Sequence, residues 1–123
     1  MEEFRISTGR TVLGSLVHVD GYLNYDASQI LKQEIDSIFD SGGVNIVVAL
    51  ERVTHLDSNT LGVLNNARLR AQKIGGRLAI VCPEENEAVL HTFKITGLNS
   101  FFDLFKSSDE ANTSLGSSEE SKT

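Results

Sequence analysis

The sequence predicts one α/β domain: a mostly parallel sheet of four to five strands with one antiparallel edge strand, packed with about four helices. Three observations predict it. Residues 44–50 (VNIVVAL) and 77–82 (RLAIVC) are short, nearly continuous apolar runs, as expected of strands buried on both faces. Segments with helical spacing of apolar residues alternate with these runs. Two short β-like stretches open the chain and read as a hairpin, which supplies the antiparallel edge.

Taken in order, residues 4–7 and 12–19 are the hairpin strands, with Thr8, Gly9 and Arg10 as the turn. A helix over 27–40 follows, because Ala27, Ile30, Leu31, Ile35, Ile38 and Phe39 recur on one face. Asp26 and Gln29 stand three apart in the manner of a capping box. Ser41-Gly42-Gly43 stops this helix before the first buried strand. A second helix covers 58–74 and closes at Gly75-Gly76, ahead of the strand at 77–82. Pro83 permits a third helix start, and EENEAVLHTF places acids in its first turn, where they favour the helix dipole. Thr96-Gly97-Leu98 ends that helix, 101–105 is a last short strand, and a final helical turn or two lies around 109–115. The domain therefore spans 1–115, and 116–123 (GSSEESKT), with nothing to bury, is expected to be a disordered tail.

Composition removes several functions. At 123 residues and 40% apolar content the chain supports one core and no second domain. A net charge of −6, with seventeen acids against eleven scattered Lys and Arg, argues against a nucleic-acid partner. Cys82 is alone, so no internal disulfide forms, and its expected role is that of a small buried hydrophobe. No apolar stretch approaches the roughly 18 residues that span a bilayer, and no cationic-then-apolar leader opens the chain. The expected compartment is the cytoplasm. His18, His55 and His91 fall singly in different elements, which does not suggest a metal site. Ser58 with Asp57 and His55 does not make a hydrolytic triad, since an adjacent Asp cannot orient a histidine that must reach the serine. The Gly-Gly pairs lack the residues of a phosphate-cradling loop, so no cofactor is expected and the chain is not read as an enzyme.

The stretch THLDSNTLGVL (54–64) carries what chemistry there is. On a regular helix Leu61, Val63, Leu64, Ala67, Ala71 and Ile74 form the core arc, while Ser58, Gly62, Asn65, Leu69 and Gln72 fall within roughly 80° of one another on the other side. That second stripe resembles a shallow docking surface with a polar group at its end. The plainer reading is that Asp57 or Ser58 only caps the helix and Leu69 packs under a loop.

VTHLDSNTLGVL resembles the central motif of STAS domains, the fold of bacterial anti-sigma factor antagonists, in which an Asp-Ser pair, a small residue and Leu-Gly open a helix. VHVDGYLNYDAS (17–28) and TFKITGLNSFF (92–102) resemble the early Gly-x-Leu-Asp and late Thr-Gly-Leu segments of the same family, in the same order. The resemblance implies that Ser58 is the acceptor for a partner that is both serine kinase and anti-sigma factor. The unmodified antagonist would bind this kinase and the phosphorylated form would not. It also implies a phosphatase that resets the protein. Asp57, Ser58, Asn59, Thr60, Gly62, Asn65, Leu69 and Asn24 are the expected partner-facing residues. Two features depart from the family pattern. Asn59 and Thr60 follow the serine where a small residue and Gly are usual, and Asn24 replaces the early acid. Thr60 is itself a possible acceptor. A competing reading is a non-cycling STAS scaffold, or a subunit of a larger signalling or transporter-associated assembly, in which Ser58 is only a cap. A monomer is expected, because no exposed apolar stripe is visible beyond Leu69.

Overall fold

The structure, a computed structural model, describes residues 4–10 and 14–121, with side chains up to residue 115. Strands β1 (Phe4–Arg10) and β2 (Ser15–Leu23) are followed by α1 (Tyr25–Asp40), β3 (Asn45–Leu56), α2 (Ser58–Lys73), β4 (Arg77–Val81), α3 (Glu87–Ile95), β5 (Asp103–Phe105) and α4 (Ser108–Ser121). The sheet order is β1-β2-β3-β4-β5; β1 is antiparallel to β2 and every later pair is parallel. The predicted α/β class holds, with five strands and four helices.

Successive parallel strands laid side by side in one direction, each joined by a right-handed crossover, must put all their helices on one face. The core shows this: Val17, Val19, Leu23, Ile46, Val48, Leu50, Val53 and Leu56 of the sheet pack against Leu31, Ile35 and Phe39 of α1, Leu61 and Leu64 of α2, and Val89 and Phe93 of α3. The opposite face is covered by α4, whose Ala111 and Leu115 meet Val47, Ala49, Ala79 and Val81. Strands β3 and β4 are thus apolar on both faces, as their unbroken sequences predict.

Several boundaries differ from the sequence expectation. Thr8, Gly9 and Arg10 belong to β1, paired with Val17, Leu16 and Ser15, so the hairpin connection comes later in the chain. Helix α1 begins at Tyr25, and its cap is Asn24, whose Oδ1 accepts from Ala27 N at 2.9 Å, not the Asp26 and Gln29 box. Ile30 and Ile74 are exposed, because they sit at the margins of their helices' apolar arcs. At the end of α2, Gly75 takes φ +82° and Gly76 N donates to Ala71 O at 2.8 Å, closing the helix as predicted. Helix α4 continues over 116–121, within the stretch expected to be a tail, and residues 122–123 of that stretch lie outside the described residues.

The largest difference is in β3, which runs six residues beyond Leu50. Its second half is bulged against β2, with register shifts between His18 and Asp20 and between Gly21 and Tyr22. Buried residues there recur every third position, at Leu50, Val53 and Leu56, and not every second. Strand β4 pairs with β3 only as far as Ala49, so the Leu50 and Val53 carbonyls need another partner. Asn86 supplies it: Nδ2 donates to Leu50 O at 3.1 Å and to Val53 O at 2.7 Å, while Oδ1 accepts from Val89 N at 3.4 Å as the cap of α3. This explains why α3 begins at Glu87 and not at Pro83. Replacing Asn86 with Ala removes the cap and leaves two strand carbonyls short of a donor. Asn86→Ala should lower the unfolding free energy by about 2–3 kcal/mol, read as a lower urea midpoint at unchanged m-value.

Candidate functional site

Strands β2 and β3 end in register, with Leu23 opposite Leu56 and both side chains buried. The next residues, Asn24 and Asp57, are the N-caps of α1 and α2. Neighbouring strands lie about 4.8 Å apart, so two helix N-termini open side by side at the carboxyl edge of the sheet.

Asp57 is extended (φ −102°, ψ 179°) and its Oδ1 accepts from Thr60 N at 3.0 Å and from Thr60 Oγ1 at 3.2 Å. The second oxygen takes a long bond of 3.4 Å from Asn59 Nδ2. The cap is therefore Asp57, which leaves Ser58 free of that task. Ser58 is the first helical residue, is exposed, and has no hydrogen bond from its hydroxyl to the described residues. Thr60 does not share that surface. It is 0% exposed, with its hydroxyl donating to the cap, so it belongs to neither the acceptor chemistry nor the partner-facing set. Its bulk points inward and leaves the approach to Ser58 open.

Along α2 the buried side chains are Thr60, Leu61, Leu64, Ala67 and Ala71, and the opposite side carries Gly62 and Leu69 in solvent. Nothing lies within 4 Å of a Cβ built on Gly62, so packing in the domain does not require glycine there. Asn65 is half-buried, its Oδ1 accepting from Arg68 Nη2 at 2.9 Å and Nε at 3.3 Å. Leu69 is 45% exposed. Asn24 is half-buried with its amide oxygen engaged as a cap, so it adjoins Asp57 as a structural counterpart. The structure thus brings Asp57, Ser58, Asn59, Gly62, Asn65 and Leu69 onto one end and one side of α2.

Three aromatic residues absent from the expected partner-facing set lie around this surface. Tyr22 and His55 stack across β2 and β3 with ring centroids 4.7 Å apart and 21° between planes. Phe101, 60% exposed, lies under the Arg68 guanidinium. The His55 ring is thus engaged with Tyr22, and the Asp57 carboxylate with the helix, which gives no triad. Burial pushes the Cys82 thiol up to about 11, far from the range of a reactive thiolate. Among the described residues no group of three His, Cys, Asp or Glu could hold a metal, and no helix is long and apolar enough to cross a membrane.

A single α/β domain whose exposed serine follows the capping aspartate of its second helix invites comparison with known families, and the STAS domain profile matches residues 7–111. The chain belongs to the STAS domain family. Sequence similarity extends to a candidate anti-sigma factor antagonist, a TM1081 homologue of Thermotoga neapolitana, at 30% identity over 90 residues, covering 72% of this chain and 78% of that protein. Among solved structures, this STAS domain superposes on an anti-sigma factor antagonist from Mycobacterium paratuberculosis with TM-score 0.81 and 23% identity, over 91% of this chain and 93% of the other. SpoIIAA in its unphosphorylated form gives TM-score 0.78 at 17% identity, covering 92% and 97% of the two chains. SpoIIAA of Bacillus in its phosphorylated form gives 0.67 at 19% identity, covering 91% and 98%. At these identities the structural likeness is one of fold.

Two stability measurements test the geometry of this STAS domain. Asp57→Ala should cost about 1–2 kcal/mol, since it strips the cap from α2, whereas Asp57→Asn should cost well under half of that. Gly62→Ala should stabilise the domain by about 0.5–1 kcal/mol, because the helix gains a better former and the new methyl meets open space. Chemical denaturation of the three variants reads both effects.

Proposed function

We propose that this STAS domain is a cytoplasmic anti-sigma factor antagonist that binds an anti-sigma factor serine kinase when Ser58 is unmodified and releases it when Ser58 is phosphorylated. The observation that carries the reading is the exposed, unengaged Ser58 hydroxyl on the first turn of a helix whose cap is a different residue. The candidate anti-sigma factor antagonist relative in Thermotoga and the phosphorylated form of SpoIIAA support it from outside the chain.

The energetics favour a binding switch. A phosphoserine brings about −1.5 to −2 charges at neutral pH, but at a helix N-terminus the free N–H groups and the dipole accept an anion, with effects of about 0.3–1 kcal/mol. Against a domain stability of about 5–15 kcal/mol the fold survives. Under a bound partner the same charge is desolvated without a counter-charge, at about 2–5 kcal/mol, or roughly thirtyfold to several thousandfold in affinity. Phosphorylation thus costs association and not architecture. Asp57 adds like charge one residue away. Thr60, where the family usually has Gly, is buried and so places no bulk beside Ser58, and Asp57 is the cap; both favour a cycling domain over a scaffold in which Ser58 is only a cap.

Purified protein incubated with ATP and each serine-kinase anti-sigma factor of the source organism in turn should gain one phosphate, mapped by fragmentation to Ser58 and absent from Ser58→Ala. Ser58→Asp should lose at least tenfold in affinity for the same kinase. A phosphate placed elsewhere, or equal binding by Ser58→Asp, would return the domain to the scaffold reading.

A further inference from the structure

Helices α1, α2 and α3 pack on one face of the sheet and α4 on the other. The chain is fixed as far as Phe105, whose carbonyl accepts from Cys82 N at 2.8 Å. Lys106 then pairs with Glu84 at 2.7 Å, but both side chains are exposed and such a pair holds little. Among the described side chains of α4 only Ala111 and Leu115 are buried, on Val47, Ala49, Ala79 and Val81. Arg77 Nη1 adds bonds to Ser114 O and Oγ, both at 3.3 Å. Arg77 also pairs with Asp103 of β5 at 2.6 Å, so it keeps a carboxylate whether or not α4 is in place. By comparison, α1 buries Leu31, Ile35 and Phe39, and α2 buries Leu61 and Leu64.

The helix is also weak in itself. SDEANTSLGSSEES contains five serines, an asparagine, a threonine and a glycine, all poorer helix formers than Ala or Leu, and no basic residue closes its last turn. A capping box offsets part of this: Ser107 Oγ accepts from Glu110 N at 3.2 Å, and Glu110 Oε2 accepts from Lys106 N at 3.1 Å. At fourteen residues it has the length at which an isolated helix is marginal in water, so α4 depends on its seat on the sheet. The seat is imperfect. Asn112 Oδ1 is buried with no hydrogen-bond donor among the described residues, a penalty that undocking relieves.

We infer that α4 is a strap that undocks as a unit while the sheet and the three helices of the other face stay folded. One leucine and one alanine must offset the ordering of the whole segment and an orphaned carbonyl, whereas the opposite core is built from large side chains of three helices. Undocking uncovers Val47 and Ala49 of β3 beside their register partners Ala79 and Val81 of β4, with Leu16 and Phe105 at the margins. The second face of the sheet is thus an apolar surface that is closed with the strap down and available with it up. Helix α2, which carries Ser58, packs on the opposite face, so this device does not rest on the phosphoacceptor reading.

Amide hydrogen exchange of the full chain at a series of low urea concentrations tests the strap. Amides 111–115 should share one exchange rate, at least about a hundredfold faster than Val48 and Ile80, and show less than about half their urea slope. Rates and slopes equal to those of the strands would make α4 part of the global unit and overturn the inference. Protection falling off residue by residue from 111 to 115 would mean fraying and overturn it as well. Asn112→Ala removes the orphaned oxygen and supplies a better helix former, so it should slow exchange in α4 about tenfold. Acceleration by Asn112→Ala would show that this side chain holds the helix down, against the inference. Ala79→Cys puts a thiol under α4, with the native Cys82, buried against the other face, as internal control. Maleimide should label the new thiol at least about a hundredfold faster than Cys82, and equal labelling would refute independent undocking. Should Ala79→Cys fail to fold, exchange in the unaltered chain decides.

Discussion

The pairing of β2 with β3 beyond the end of β4 is the constraint from which the functional end of the molecule follows. Because β3 continues to Leu56 alongside Leu23, the two longest helices are launched from adjacent positions and in the same direction. Beyond the end of β4 the Leu50 and Val53 carbonyls of β3 have no neighbouring strand on that side, and the amide of Asn86 reaches across to meet them. Shortening that shared edge by one pair would separate Asn24 from Asp57 and bury the wrong residues at the helix starts. The exposed serine is thus a by-product of register several residues earlier.

Physical patterns of different reach explain what could be read in the amino acids. The strands at 44–50 and 77–82 were legible because burial on both faces leaves an unmistakable apolar run. The stretch ERVTH was not, since two bulges convert the usual alternation into a repeat of three that matches neither strand nor helix. The helix starts at Asn24 and Asn86 were missed for a related reason. A cap is chosen by where the preceding strand or a distant carbonyl places the chain, and Asp26 and Pro83 offered local signals that tertiary contacts overrode. Ile30 and Ile74 fit the apolar spacing of their helices yet face solvent, because periodicity gives the direction of a core but not its width.

The candidate site divides along the same line. Asp57, Ser58 and Gly62 were legible from local chemistry and from resemblance, since a cap, an exposed first-turn hydroxyl and a helical glycine are all short-range features. Phe101 was not. Its contact with Arg68 joins α2 to the turn after α3, and neither residue is unusual until the fold brings them together. Thr60 shows the converse: a residue that looks like a second acceptor in sequence is removed from the surface by two steps around the helix.

Each step along an α-helix turns about 100°, so Ser58 and Thr60, two steps apart, point to nearly opposite sides, and the register in which α2 begins decides which of these two early hydroxyls faces solvent. Asp57 sets that register by seizing the amide and the side chain of Thr60 together. Exposure of the serine and burial of the threonine are therefore both written in where the first turn starts.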